Sequence, residues 1–547
     1  MWGYGDDGRR EYFDNELTLS KLDDKEWEDI LYIIEKLDIK TFQEYHDFYL
    51  NIDVYGLADV FENFRKTTLE YYKLEPCNYV GAPSLAWDAM LLMTGVELDL
   101  LKDSDMYLFF ERGIRGGQSV IFNKYAAANN KYMEDYDEDM DNTFISYLDA
   151  NNLYGHAMNR PLPYKDFKWV DSISIDTIMS YDENSDIGYT LEVDLHYPKE
   201  LHDLHNDYPL APERYKPEGS FCEKLCGTFY DKKDYIIDIR NLRFYLEKGL
   251  VLNKINRVVE YKQRKWLKEY IDLNTSLRTK AKNDFEKDYF KLMNNSVFGK
   301  TMENVRGRIQ VECCFNDERQ KHLQSKTTFK STTPYHNGDN TFSIVELSKK
   351  IVKLDKQIYA GFTILDLSKL HMYDFHYNIT KTKYGENIQL LMTDTDSFVY
   401  QIKTDDFYED MKGMKEHYDM SEYSKESGLY DGENKKVIGK FKDESPDEVI
   451  ESFVGIRSKC YSFITKNNTV KKAKGVSKVV VKKNITFDDY KNCVLNDTPK
   501  RVKINAIRTL KLTNYSLTQD KLALSNKDDK RVWFDKTSSR AYGHFRN

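Results

Sequence analysis

Two carboxylates one residue apart offer the sharpest chemistry in this chain. Thr393-Asp394-Thr395-Asp396-Ser397 lies between two apolar β-type runs, residues 388–392 and 398–402, and reads as the tip of a strand–turn–strand hairpin. Packing does not require two acids on a tight turn between buried strands. Their charges repel and stay solvated unless a cation lies between them. Mg²⁺ takes hard oxygen ligands, usually one or two carboxylates plus substrate phosphates. A third acid, Asp149, closes the apolar run 143–148 within Tyr147-Leu148-Asp149-Ala150-Asn151-Asn152-Leu153-Tyr154. An Asp at a strand end beside an Asp pair on a hairpin suits two metals about 3.5–4 Å apart, which activate an attacking oxygen and stabilise a leaving one. Each feature alone has a blander reading: hairpin turns often carry Asp, and Asp149 could cap a following helix.

The next feature is Lys291-Leu292-Met293-Asn294-Asn295-Ser296-Val297-Phe298-Gly299, at the end of a basic helical stretch. Phosphoryl transfer is catalysed mostly by positioning and charge neutralisation. Lys291 could bind a triphosphate, while Phe298 and Gly299 give an aromatic wall and room for a base pair. By itself the segment is equally an amphipathic helix with a glycine stop.

These residues need a scaffold, and the chain is long enough for one. Its 547 residues suggest about three to five structural units. Hydrophobic residues at 40% and charged residues at 31% fit a soluble globular protein rather than a disordered one. The 41 Tyr and 29 Phe serve cores, and also stack on bases and sugars. A net charge of −9 excludes a uniformly basic nucleic-acid binder, but residues 454–511 carry fifteen Lys/Arg against three acids. Such a block attracts a phosphate backbone. Seven cysteines in so long a chain form no disulfide framework and point to a reducing, intracellular compartment: nucleus, cytoplasm or organelle. His202, His205, Cys222 and Cys226 are a possible zinc set, although the cysteine pair lacks the tight spacing of most zinc knuckles. No apolar run approaches the ~18 residues of a membrane span and no secretory signal opens the chain, so no membrane partner is expected.

Residues 27–37 read as an amphipathic helix, with Trp27, Ile30, Leu31, Ile34 and Leu37 at helical spacing, and a second helix follows over 41–72. The acidic stretch 129–142 reads as a linker or exposed loop. Residues 252–273 and 277–297 read as two long basic helices joined near Asn274. Asn337-Gly338-Asp339 has hairpin-turn chemistry. Helices and strands are mixed, giving an α+β class.

Taken in order, the three motifs resemble motifs A, B and C of the B-family DNA polymerases, most closely the protein-primed branch found in viruses, linear plasmids, organelles and self-synthesising transposons. For motif A, Asp149 and Tyr154 are in place, while Asn152 and Gly155 replace the usual Ser and Pro. For motif B, Lys291, Asn295, Ser296, Phe298 and Gly299 match, with Phe where Tyr is commoner. For motif C, Asp394 to Ser397 match, with Met392 at the aromatic position. Lys459-Cys460-Tyr461 resembles the family's Lys-x-Tyr primer motif, and Lys474-Gly475-Val476 also has a family look. Ile114-Arg115-Gly116-Gly117 is similar to the template-contacting Tyr-x-Gly-Gly element, and residues 528–544 resemble a family C-terminus.

The resemblance implies a right-hand polymerase: a palm built on an antiparallel sheet, helical fingers and thumb, and the C-terminal remnant of a ribonuclease-H-like exonuclease domain. It divides the chain into the exonuclease remnant (1–72), a connecting region with the Arg-Gly-Gly element and acidic linker (73–142), a first palm segment with an insertion (143–250), fingers (251–300), a second palm segment with a further insertion within it (301–455), and primer-binding region and thumb (456–547). Asp149 and Asp396 would ligate two Mg²⁺ ions, with Mn²⁺ an alternative, and Asp394 would sit beside them. Tyr154 would pack under the sugar and exclude a 2′-hydroxyl. Lys291 would hold the triphosphate, helped by one of Arg278, Lys280 and Lys282. Asn295 and Phe298 would line the nascent base pair. Arg115, Gly116, Gly117 and Lys474 would contact DNA, and Lys459 and Tyr461 would hold the primer end. The implied partners are primed DNA template, dNTPs and a terminal protein offering a priming hydroxyl.

Tyr49-Leu50-Asn51-Ile52-Asp53 resembles the last of the family's three exonuclease motifs, with Tyr49 orienting the attacking water and Asp53 binding metal. No β-type run carrying Asp-x-Glu precedes it, so the chain is expected to be an N-terminal truncation that does not proofread alone. The stretch 301–343 is the expected second insertion. Two other readings stand beside this one. A reverse transcriptase would carry Tyr-x-Asp-Asp at the hairpin, against the Asp-Thr-Asp-Ser found. A catalytically inactive remnant of a mobile-element polymerase would only bind DNA through its basic block.

Overall fold

A computed structural model describes residues 7–337, 340–510 and 513–547. Its centre is a nine-stranded, wholly antiparallel sheet in which Ser119–Ile121, Ile388–Asp394, Ser397–Lys403, Thr143–Ala150, Ile450–Arg457, Cys460–Thr465 and Thr469–Ala473 succeed one another. Phe441–Asp443 adds to Thr143–Ala150, and Tyr125–Ala127 to Ile450–Arg457. The sheet is assembled from segments hundreds of residues apart. Thr, Ile, Tyr and Phe dominate Thr143–Ala150, which is largely buried on both faces and so shows no clean alternation.

The helix Ile358–Asp374 packs into the main core, and nearly all its residues are buried. A helix apolar on every side is one that belongs in a core. Three flanking units are built on this centre. Leu162–Val170, residues 251–264, Ile187–His196 and Lys232–Asp238 form a four-stranded antiparallel sheet. Ile309–Cys314, Asn340–Ser348 and Phe329–Asn337 form a three-stranded sheet that begins in the stretch 301–343 and runs beyond its end. The expected Asn337-Gly338-Asp339 turn falls on residues 338–339, which lie outside the described residues, but the strands it joins are paired. Beyond the central sheet, Lys478–Asn484 and Phe487–Leu495 precede a long two-stranded hairpin, Lys500–Leu510 with Thr513–Leu524.

One helix expectation is corrected. Residues 252–273 do not form a helix: 251–264 form a long strand, and the helix runs Lys268–Lys280. Val258, Val259 and Tyr261 are buried there, and the strand pairs on both edges, with Leu162–Val170 and with Ile187–His196. Tertiary pairing and β-branched side chains override a lysine spacing that suits either element. The second helix runs Asp284–Thr301, capped by the Asn283 side chain, so the break lies at 281–283 rather than at Asn274, and Gly299 is inside the helix. The first two helices form as expected: Asp24–Lys36 and Phe42–Tyr72 both start with capping boxes. The acidic stretch 129–142 is a loop closed at its base by paired Asn129 and Thr143, rather than an extended spacer.

The far ends of the chain are tied in. Near the N-terminus, Asn505 of the long hairpin donates to the Glu16 carbonyl at 2.9 Å. At the C-terminus, buried Arg531 bonds Asn206 and Ser539. No helix among the described residues is long and apolar enough to cross a membrane.

Candidate active site

Backbone pairing sets the two principal acids side by side. Ser397 is in register with Asp149, and the Ala150 N–H donates to the Asp396 carbonyl at 2.7 Å. On the opposite edge of the same strand, Lys442 is in register with Asp149. Its Nζ stands 3.9 Å from Asp149 Oδ1 and 2.5 Å from Glu444 Oε1. The turn between the hairpin strands is tight: Thr395 takes a left-handed φ of 69°, and its N–H donates to the Gln118 carbonyl at 2.7 Å. Gly117 lies flat against this turn. A Cβ there would stand 2.5 Å from Thr395 Cγ2 and 3.1 Å from its Cα, so only glycine lets the backbone come so close.

The acids are placed at an electrostatic cost. Burial, then the neighbouring Asp396 and Glu444 charges, push Asp149 up to about 7, against the opposing pull of Lys442 and Lys291. Burial and the Asp394 carboxylate raise Asp396 as well. The buried Asp394 Oδ1 has no hydrogen-bond partner among the described residues, and Lys459 Nζ stands 3.6 Å from it. Carboxylates in this condition favour a cation between them.

The hairpin tip separates two clefts. Asp396 faces a cleft of about 340 Å³, where Asp149, Tyr154, Lys291 and Asn295 meet. Lys291 and Asn295 are one helical turn apart on Asp284–Thr301, so they share a face. The Asn295 Oδ1 is buried without a partner. Tyr154 stacks on Phe298 with ring centroids 4.4 Å apart and planes 19° from parallel. Of the three basic residues in the 278–282 stretch, Arg278 lines this cleft and Lys280 and Lys282 do not. Asp394 faces a second cleft of about 640 Å³, lined by Lys459, Tyr461, Lys472, Lys474 and Lys478. Tyr461 is fixed by its hydroxyl, 3.0 Å from that of Tyr147.

The two motif A departures form a matched pair. Asn152 adopts φ 44°, a conformation Asn tolerates better than Ser, and its side chain accepts from the Gly155 N–H. A Cβ on Gly155 would sit 2.2 Å from the Asn152 amide nitrogen. Asn152 thus caps the short helix Leu153–Met158 that carries Tyr154, and Gly155 makes room for the cap.

Other expected residues lie elsewhere or face inward. The Arg115 guanidinium stacks on Tyr235 at 3.8 Å and donates to the Ile236 carbonyl at 2.8 Å, so it is engaged within the protein. Gly116 has open space beside it. Tyr49 and Asp53 are on the exposed part of Phe42–Tyr72, and no group of three or more His, Cys, Asp or Glu among the described residues is placed to hold an ion. The same holds for the possible zinc set. His202 stacks on Phe229 at 4.3 Å, His205 Nδ1 lies 2.9 Å from the Tyr197 hydroxyl, and Cys226 is buried while Cys222 is exposed.

Sequence reasoning missed Glu422, Lys436, Lys442 and Glu444. The first three line the smaller cleft, and Glu444 pairs with Lys442. All come from the charge-dense stretch 415–444, where spacing alone cannot separate a site from a solvated surface. Backbone geometry is the better signal: Asn152, Thr395, Lys436 and Lys459 all have left-handed φ and all border the two clefts. Such conformations gather at functional sites.

The sequence profile described as DNA polymerase type B, organellar and viral, matches residues 11–382. No curated protein shows a significant match. Among solved structures, phi29 DNA polymerase in an orthorhombic crystal form is 13% identical, with a TM-score of 0.51 over 81% of this chain and 68% of that one. Phi29 DNA polymerase complexed with primer–template DNA and incoming nucleotide substrates is 14% identical, with a TM-score of 0.51 and the same coverage. At this identity the likeness shows the fold, a right-hand arrangement of mixed helices and antiparallel sheet.

Proposed function

The chain belongs to the organellar and viral type B DNA polymerases, and from that premise we propose that it extends a DNA primer with deoxynucleotides at the cleft between Asp149, Asp396 and Lys291. One observation carries the reading: two half-buried, mutually repelling carboxylates on the palm sheet share a single cleft with Arg278, Lys291, Asn295 and Tyr154.

The donor set suits Mg²⁺. Asp149 and Asp396 offer hard carboxylate oxygens to one cleft, and Asp394 lies beside them with Lys459 Nζ 3.6 Å from its Oδ1. A carboxylate pair completed by substrate phosphates is what Mg²⁺ accepts. When bound, Mg²⁺ or Mn²⁺ supplies charge stabilisation to the attacking and leaving oxygens.

The protein's residues do the positioning. Lys291 and Arg278 neutralise the triphosphate, which is the larger part of catalysis in phosphoryl transfer. Tyr154, braced by its stack on Phe298, forms a floor under the sugar that leaves no room for a 2′-hydroxyl. Asn295 lines the cleft where the nascent pair would sit. Lys459 and Tyr461 hold the primer end in the larger, lysine-lined cleft, on the opposite side of the catalytic turn from the nucleotide. Phi29 polymerase binds primer–template and incoming nucleotides within the same fold, which supports these as substrates here. Priming from a terminal protein's hydroxyl is the finer form of the reading; it is supported by the motif resemblance and by the organellar and viral class of the family.

Mg²⁺-dependent extension of a labelled primer tests this. Asp149→Asn and Asp396→Asn should each abolish extension while leaving gel-shift affinity for primed DNA within about twofold, because the lysine-lined cleft is separate from the acids' nucleotide side. Retained extension in both variants overturns the assignment. A wild-type chain that shifts DNA but extends nothing favours the DNA-binding remnant instead.

A further inference from the structure

The nucleotide cleft has a third cation that the motifs do not account for. Lys436 lines it together with Arg278 and Lys291, but comes from a different part of the chain, the stretch that follows the catalytic hairpin. Among the described residues none of these three cations has a carboxylate ion-pair partner. Lys442, the other cation there, is already committed to Glu444 and Asp149. Three cations without an ion-pair partner thus converge on one cleft, where Asp149, Asp396 and Glu422 also stand.

The position of Lys436 is built rather than incidental. Its φ is 58°, a left-handed conformation that a lysine adopts only when the surroundings impose it. The surroundings are a buried carboxylate. Asp419, 3% exposed, accepts from the Lys436 N–H at 2.8 Å and, through the same oxygen, from Asn151 Nδ2 at 2.7 Å. The Asp419 N–H in turn donates to the Phe441 carbonyl at 2.8 Å. The Gly439 N–H donates to the Asn151 carbonyl, and the Asn151 N–H to the Lys440 carbonyl. Lys436 is therefore tied through one carboxylate to the residue two places after Asp149, so its side chain enters the cleft in fixed relation to the catalytic strand. A lysine serving only solubility needs no such anchoring.

We propose that Lys436 is a third binding residue for the polyphosphate of the incoming nucleotide, contributed by the palm and completing the cradle that Arg278 and Lys291 begin from the helical side. The inference rests on the reading of this cleft as a nucleotide site. It adds that the polyphosphate is gripped from both parts of the chain, so that a bound nucleotide links the palm to the Lys268–Lys280 and Asp284–Thr301 helices. Burial and the nearby Arg278 and Lys287 charges already disfavour the Lys436 ammonium, and an anion would relieve them.

Lys436→Asn is the informative variant, because Asn accepts a left-handed φ while removing the charge. Single-nucleotide extension of a primed template by dATP should show KM for dATP raised about tenfold, with kcat within about threefold and the Kd for primed DNA unchanged. Lys436→Arg should restore most of the affinity. An unaltered KM, an equal loss of DNA affinity, or Arg performing no better than Asn overturns the proposal. Anisotropy of a fluorescent dATP analogue separates the two claims. A chain that extends no primer but binds the analogue in a Lys436-dependent way defeats the polymerase reading and keeps this one. A working polymerase indifferent to Lys436→Asn does the reverse.

Discussion

Gly117→Ala should cripple catalysis without touching a catalytic group. The new methyl would stand 2.5 Å from Thr395 Cγ2 and 3.1 Å from Thr395 Cα, where ordinary contact is 3.4–4 Å. Thr is β-branched and stiff at χ1, and the backbone is also too close, so a rotamer change alone does not relieve the clash. The turn must retreat by about 1 Å. It carries Asp394 and Asp396 with it, because Thr395 lies between them and its N–H is bonded to the Gln118 carbonyl. A misplacement of about 1 Å costs on the order of 10²-fold in rate, about 2.7 kcal/mol of barrier. Overpacking should also lower stability by about 1–3 kcal/mol. Single-turnover extension at saturating DNA and dNTP reads the rate, anisotropy reads DNA binding, and thermal unfolding reads stability. The neighbouring Gly116→Ala is the control: no atom lies within 4 Å of its added carbon, so its rate should stay near wild type. Gly117→Ala with Thr395→Ser removes Cγ2 and should recover some of the loss, a coupling expected only of residues in contact. A wild-type rate for Gly117→Ala, or a larger loss at Gly116, would refute the packing argument. A loss confined to DNA affinity would mean that Gly117 acts on the template rather than on the turn.

Two further outcomes are expected. Tyr154→Val removes the ring that stacks on Phe298 at 4.4 Å, and should raise ribonucleotide incorporation relative to deoxyribonucleotide by about tenfold or more; unchanged sugar selectivity removes Tyr154 from that role. Acid should destabilise the fold through buried histidines. Burial holds His205 down to about 4, against the opposing pull of Asp207, and holds His156 down to about 3, with His371 adding to it. A depressed histidine pKa means that the unfolded chain binds more protons, so this stability is full above the unfolded value near 6.5 and is lost as pH falls below it. Each should cost about 1 kcal/mol between pH 6.5 and 5.5. Asp149, raised to about 7, gains stability over the same range, so the test is the difference: from pH 7.5 to 5.5, Tm should change less favourably in wild type than in His205→Asn, and an equal change in both would contradict this.

The acids and the motif helix were legible in the sequence because polymer chemistry constrains them locally, whereas Lys459 was legible only through its resemblance to a family motif. A carboxylate pair on a hairpin tip needs only the flanking apolar runs to be recognised, and the paired strands Ile388–Asp394 and Ser397–Lys403 form where those runs predict. Lys291, Asn295 and Phe298 share a helix, so their spacing alone puts them on neighbouring faces. The capping boxes at Asp23 and Thr41 likewise mark where the first helices begin.

Everything that depends on pairing between distant segments was decided by the tertiary structure. Residues 251–264 carry side chains compatible with a helix or a strand, and only the two partner strands settle the matter. Arg278 is singled out from Lys280 and Lys282 only because it lines the cleft with Asp149 and Asp396. Gly117 and Gly116 are indistinguishable in sequence, yet one abuts the catalytic turn and the other faces open space. Asn152 and Gly155 read as two departures from a motif until the fold shows one side chain filling the space that the other leaves. Lys436 lies in a run of charge with no local mark, and joins the site because Asp419 bonds it to Asn151, 285 positions earlier in the chain. Local chemistry names which residues can act; only long-range hydrogen bonding and close packing determine which of them meet.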